Sequence, residues 1–109
     1  MPHPAEGSPL ELHTDASRTP ARLVVRGEID ASNSHRFGER LAAAAGEHGG
    51  VALDLGGVEF LESSGLRALL RARQEAADAG HPVHVVAASA PVRRLFEIMG
   101  LGSLISANA

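Results

Sequence analysis

There is no cysteine among the 109 residues. A disulfide framework and a thiol nucleophile are therefore excluded. There is no lysine either, and all ten basic residues are arginine. That removes a Walker-type phosphate loop and Schiff-base chemistry. No basic run is present, and thirteen acids set a formal net charge of −3. A weakly acidic chain of this kind argues against nucleic acid or an anionic membrane as the main partner. No apolar stretch approaches the ~20 residues of a membrane span. The N-terminus carries Pro2, Pro4, Glu6 and Pro9 and lacks the basic-then-apolar order of a secretory signal. A cytoplasmic protein without direct membrane insertion is the expectation. The Gly-x-Ser-x-Gly elbow of α/β-hydrolases is missing, and Gly56-Gly57 lacks the Gly-Lys-Ser/Thr that would make it a phosphate cradle. Histidines stand dispersed at 3, 13, 35, 48, 81 and 84. Only His81 and His84 are close, and no carboxylate cluster accompanies them, so neither zinc nor another cofactor is expected.

What is present describes one domain. The chain is 44% hydrophobic and 21% charged, a globular composition of a length that suits a modest core. Residues 1–9 read as a loose tail and 10–107 as the domain. Leu10 to His13 alternates as a short edge strand. Asp15 to Pro20 is rich in turn formers, and Leu23 to Arg26 reads as a second strand of a hairpin. Asp30-Ala-Ser-Asn-Ser34 offers several N-cap candidates. Behind it Phe37, Leu41, Ala44, Ala45 and His48 fall on one helical face. Val51 to Leu55 reads as a central strand ended by Asp54, a structural turn residue, and by the Gly-Gly connection. Phe60-Leu61 forms a second apolar pair.

A second helix is predicted after Gly65, with Leu66, Leu69, Leu70, Ala76 and Ala77 turned inward. Arg67, Arg71, Gln74, Glu75 and Asp78 face water, and Gly80 with Pro82 ends the helix. Val83 to Ala87 reads as a strand. Ser89-Ala-Pro91 starts a third helix with Val92, Leu95, Phe96 and Met99 inward, and Gly100 suits a left-handed C-cap. Leu104-Ile105 reads as a last short strand. After the hairpin, helices and strands alternate, which predicts α/β topology with parallel pairs and right-handed crossovers.

The chemistry concentrates in Asp54-Leu-Gly-Gly-Val-Glu-Phe-Leu-Glu-Ser-Ser-Gly-Leu66. Ser63 and Ser64 sit where a helix starts and backbone N–H groups lack partners. A serine there can cap the helix. It can also accept phosphate, because a helix N-terminus tolerates added negative charge. Asp30, at a strand end, is an ordinary cap or a neighbour of Ser63 at the same sheet edge. Gly65 permits close approach of a partner backbone or serves a plain steric need.

This stretch resembles the signature of the STAS family, the anti-sigma factor antagonists of bacteria, in which Asp-Ser-Ser-Gly-Leu opens a helix. Gly27-Glu-Ile-Asp30 is similar to the family's Gly-Glu-Leu-Asp segment. Arg93-Arg-Leu-Phe-Glu-Ile-Met-Gly-Leu101 is similar to its Leu-Phe-x-x-x-Gly-Leu ending. The resemblance spans roughly residues 10 to 107. It implies a single STAS-like α/β domain, a small mixed sheet with helices mainly on one face. It implies a regulatory interaction protein, not an enzyme, with no catalytic residues. Ser63 is the implied phosphorylation site, with Asp30, Glu62, Ser63, Ser64 and Gly65 on the partner surface. The implied partners are an anti-sigma factor with ATP-dependent serine kinase activity and a serine phosphatase. Two other readings stay open: a STAS subunit of a membrane transport complex such as a lipid-trafficking ABC transporter, and a small nucleotide-binding protein or enzyme. Glu62 departs from the family's Asp and caps poorly, so the residue that caps the helix is left open.

The scattered histidines and the apolar pattern together lead to an expectation about metal. Chelator treatment should leave circular dichroism and melting temperature unchanged; loss of either would contradict the ligand argument.

Overall fold

Apolar residues recur every second position in the strands and every third or fourth in the helices, and this spacing decides how the chain layers. The computed structural model describes residues 9–105, so of the expected tail only Pro9, which is exposed, lies within it. Strand β1 (Glu11–Asp15) pairs antiparallel with β2 (Arg22–Ile29). Helix α1 (Ser34–His48) leads to β3 (Val51–Leu61), and α2 (Ser63–Asp78) leads to β4 (Val83–Ala88). Helix α3 (Ala90–Ile98) and a 3-10 turn (Gly102–Leu104) follow. The sheet runs β1-β2-β3-β4, with β2, β3 and β4 parallel.

The sheet has two unlike faces. Leu23, Leu53 and Val85 lie in register and are buried beneath the helices. Their neighbours Arg22, Ala52 and His84 lie in register on the other face, where His84 is exposed and Arg22 half-buried. There Arg22 meets Asp54 at 3.4 Å. The helices therefore cover one face, and the other is left polar. Phe37, Leu41, Leu69, Val92 and Phe96 complete a core that contains no buried charged side chain among the described residues. Arg40 of α1 donates to Thr14 Oγ1 at 3.1 Å, and Arg36 donates to the Leu10 carbonyl at 3.1 Å. These bonds tie the first helix across the hairpin. At the hairpin turn the Ser17 hydroxyl and backbone N–H both donate to Asp15. They hold that exposed carboxyl below its ordinary pKa.

Several expectations are corrected. Strand β3 does not stop at Leu55 but continues through Gly56 and Gly57 to Leu61. Gly57 is paired with Arg26, and a Cβ at Gly57 would lie 2.8 Å from Arg26 Cγ. The glycine admits the arginine stem across the strand instead of breaking the ladder. Asp54 consequently sits within the strand, and its Oδ1 accepts the Gly56 N–H at 2.8 Å. The flanking strands are also longer than the apolar runs suggested. His48 and Met99 are exposed, because each lies at the last turn of its helix, past the edge of the core. In α2, Ala72 is buried in place of Ala77. Leu104 lies in the 3-10 turn, and Ile105 makes only a single bridge to Val85.

Each described α-helix ends at a glycine of positive φ, Gly49, Gly80 and Gly100, followed by a six-to-one hydrogen bond. In α3 the Leu101 N–H reaches the Phe96 carbonyl at 2.6 Å while Gly100 N–H bonds Glu97. This is a Schellman closure, with Leu101 packed against the core beside it. Gly100 has φ +74 and open space around it, so any cost of a side chain there is conformational. Gly100→Val should lower stability by about 1–2 kcal/mol. Gly100→Asn should cost less, because Asn enters the left-handed region more readily. Denaturant unfolding of both variants checks this; equal stability of Val and parent would refute the capping account.

Candidate functional site

The site is built where β2 and β3 end together. Ile29 lies in register with Leu61, and the Glu62 N–H donates to the Ile29 carbonyl at 2.9 Å. Beyond this rung the two chains separate. One turns through residues 30–33 into α1, and the other enters α2 directly at Ser63. Parallel strands leave a sheet at the same edge, so the two connections lie side by side.

The first connection is held by its own polar groups. Asp30 Oδ1 accepts the Ser32 N–H at 2.9 Å and the Ser32 hydroxyl at 2.6 Å. Asn33 Oδ1 accepts the Asp30 N–H, and Asn33 Nδ2 donates to the Glu28 carbonyl, both at 2.9 Å. Asp30 thus closes an Asx turn in its own loop. It does not cap α1, whose N-cap position is Asn33 and lacks a side-chain cap bond. Among the described residues no hydrogen bond joins Asp30 to Ser63; the topology brings their loops together, and another residue links them.

That residue is Glu62. It holds the N-cap position of α2 yet makes no cap bond to the helix. Its Oε1 instead accepts the Ala31 N–H of the neighbouring loop at 3.0 Å and the Ser64 hydroxyl at 3.3 Å. The question of which side chain caps α2 has a physical answer: among the described residues, none does. The first-turn N–H groups of α2, at the positive end of the helix dipole, are left without a carboxylate or hydroxyl acceptor.

Ser63 is the first residue of α2 and is exposed, and its hydroxyl has no hydrogen-bond partner among the described residues. Ser64 differs: it is half-buried and its hydroxyl is engaged by Glu62. Gly65 is buried. A Cβ there would come 2.5 Å from Ile29 Cγ2 and 2.6 Å from Leu61 Cδ1. The steric alternative therefore accounts for Gly65, which lets α2 start directly above the last rung of the two strands.

Phe60 departs from its sequence pattern. Half of an apolar strand pair, it is nevertheless 48% exposed. It stands in register with Glu28, two residues before Glu62. Alternation from the buried Val58 would turn Phe60 inward; the register shift between the Gly27–Val58 and Glu28–Phe60 pairs puts Leu61 on the buried side instead and turns Phe60 the other way. Two grooves open elsewhere. One, of about 270 Å³, lies between α1 and α2 at Gly38 and Ala72; the other, of about 490 Å³, lies by Arg26, Gly57 and Ser89. Neither is lined by Asp30, Glu62 or Ser63. The described residues contain no group of three His, Cys, Asp or Glu able to hold a metal ion. None of their helices is long and apolar enough to cross a membrane.

An exposed serine opening a helix on a small mixed sheet, with all helices on one side, defines a class. Residues 12–106 match the family described as "Mlab, STAS domain", and the chain belongs to the STAS-domain family. Among solved structures it is similar to an anti-sigma factor antagonist from Mycobacterium paratuberculosis. The identity is 23%, the TM-score is 0.74, and 89% of this chain and 83% of that one are covered. It is also similar to the unphosphorylated form of the anti-sigma factor antagonist SpoIIAA, at 19% identity and TM-score 0.71, covering 90% and 86% of the two chains. The phosphorylated form of SpoIIAA, a Bacillus cell fate determinant, gives 19% identity and TM-score 0.64, covering 88% and 89%. At these identities the likeness is one of fold. No curated protein matches the sequence.

The packing at Gly65 has a direct consequence. Gly65→Ala should destabilise by roughly 1–3 kcal/mol, the usual range for overpacking. Combining Gly65→Ala with Ile29→Ala, which removes the obstructing Cγ2, should cost less than the sum of the two single losses. Chemical denaturation of the single and double variants measures both; a Gly65→Ala protein as stable as the parent would dismiss the steric role.

Proposed function

We propose that this protein is an anti-sigma factor antagonist that works as a phosphorylation-controlled interaction switch. In its dephosphorylated form it binds an anti-sigma factor that is also an ATP-dependent serine kinase, and so frees a sigma factor for transcription. The kinase phosphorylates Ser63, and a serine phosphatase restores the binding form. The observation that carries this reading is the contrast between the two serines. Ser63 presents an exposed hydroxyl free of partners among the described residues, at an uncapped helix start, whereas Ser64 is tied down.

The physical logic follows from charge. Phosphorylation adds about −1.5 to −2 charges at neutral pH. The unfilled N–H groups of α2 and its dipole offer that charge a favourable seat, so the domain needs no refolding to accept it. The partner, docked on a surface that includes Phe60 and the two loops, meets a charge where it had a neutral hydroxyl. Like-charge or desolvated juxtaposition across an interface costs several kcal/mol. Each ~1.4 kcal/mol is tenfold in affinity. That SpoIIAA is known in unphosphorylated and phosphorylated forms, both similar in fold to this chain, supports a switch of surface and not of architecture. Asp30, Glu62 and Ser64 serve the partner surface by shaping the two loops, with Gly65 beneath them. The exposed setting of Ser63, away from both grooves, favours a protein partner over a small-molecule substrate.

A second reading is left open by the family description, which names a STAS domain and no sigma-factor pathway. A STAS subunit of a membrane transport complex would use Ser63 as a docking residue without modification.

The experiment is a variant series on immobilised protein in cell extract, with and without ATP and Mg²⁺, followed by mass spectrometry and calorimetry with the captured partner. Ser63→Ala should change stability by no more than about 0.5 kcal/mol, take no phosphate and bind persistently. Ser63→Asp should fold and bind more weakly, and Ser64→Ala should still be phosphorylated. Phosphate on Ser64 would reassign the acceptor. Equal affinity of the Ala and Asp forms would remove the electrostatic switch. Capture of an ATPase and permease without phosphate would transfer the assignment to the transport complex.

A further inference from the structure

Glu62 occupies an unusual place for a carboxylate. It adjoins the exposed serine in sequence, yet its bonds run sideways. One oxygen, Oε1, accepts the Ala31 N–H at 3.0 Å and the Ser64 hydroxyl at 3.3 Å. Ala31 lies inside the turn that Asp30, Ser32 and Asn33 otherwise close among themselves. The Glu62 side chain is thus the polar link between that turn and the start of α2, above the backbone rung from Glu62 to Ile29. The oxygen that reaches the neighbouring loop stands at the end of the glutamate stem, one methylene farther out than an aspartate oxygen.

We infer that Glu62 is a positioning residue that transmits the state of Ser63 to the 30–34 loop, so that both loops of the partner surface switch together. This rests on the reading of Ser63 as the site of a regulatory charge. Without that charge, the carboxylate holds Ala31 through a charge-assisted bond, the stronger kind of hydrogen bond. An anion on Ser63 occupies the positive helix start and repels the adjacent carboxylate, which weakens its hold on Ala31. The loop containing Asp30 is then released at one of its anchors. A partner that reads both loops loses a fitted surface as well as meeting a new charge.

Two substitutions separate reach from charge. Glu62→Gln keeps the stem and an acceptor oxygen but drops the charge. Glu62→Asp keeps the charge and shortens the stem by one methylene. The readout is hydrogen exchange of the Ala31 amide by NMR on the full chain, with the Leu53 amide in the central strand as a reference for global opening. The parent, both Glu62 variants and each combined with Ser63→Asp are compared as a double-mutant cycle.

Ala31 should be protected in the parent and in Glu62→Gln, and should exchange about tenfold faster in Glu62→Asp, as loss of a bond to a charged group implies. Ser63→Asp should speed Ala31 exchange in the parent, have less effect when combined with Glu62→Gln, and add nothing when combined with Glu62→Asp, with Leu53 unmoved throughout. Three results would each overturn the inference. Ala31 could be unaffected by Glu62→Asp; its response to Ser63→Asp could be equal in parent and Glu62→Gln; or Leu53 could change in step with Ala31. No kinase or partner is used. If these responses hold while Ser63 never takes phosphate in extract, the coupling stands and the antagonist reading falls. If phosphate is found and the responses fail, the reverse is true.

Discussion

The parallel pairing of β2 with β3 is the constraint on which the rest depends. Its last rungs, Ile29 with Leu61 and the Glu62 N–H on the Ile29 carbonyl, bring two chain segments to one edge of the sheet. A parallel pair needs a crossover helix, and a right-handed one places α1 over the same face that α2 then covers. The apolar side of the sheet is buried by that choice, and its polar side, with Arg22 and Asp54, is left to solvent. The loops that open α1 and α2 have no freedom to separate, because the strands beneath them are hydrogen-bonded to their ends. The exposed serine that opens α2 is therefore close to the loop that opens α1 as a matter of topology.

Much of the fold was legible in the sequence because local signals agreed with the global one. Phe37, Leu41, Ala44 and Ala45 fall on one helical face and are buried together. Gly80 and Gly100 mark helix ends, and both have positive φ. The errors share a cause. Gly56 and Gly57 carry no side chain to show a pleat, so they read as a break; only the ladder to β2 shows that the strand continues. His48 and Met99 satisfy the helical period but extend past the core, and periodicity has no term for where the neighbouring layer ends. Ala72 and Ala77 are equivalent in hydropathy, and only the packed layer shows that the first is buried and the second exposed.

The site divides in the same way. Ser63 at a helix start and Asp30 at an adjacent strand end could be read from element order alone. The role of Glu62 could not. Its partner is a backbone N–H thirty-one positions away, and every residue but proline carries such a donor, so no side-chain pattern marks it. Glu62 looked like a poor cap because it is not one; the length that makes it unsuited to its own helix suits it to the next loop. Phe60 was hidden by its company. In an eleven-residue strand with irregular register, an aromatic beside a buried leucine reads as core until the pairing with Glu28 turns it outward.

The burial of Gly65 between Ile29 and Leu61 bears on how such motifs are used to trace descent. A glycine required by packing is retained for as long as the fold is, whatever becomes of the activity. Within Ser-Ser-Gly, then, the third position is a mark of common architecture. The exposed hydroxyl at the first is free of that packing demand, so the two positions answer to different constraints.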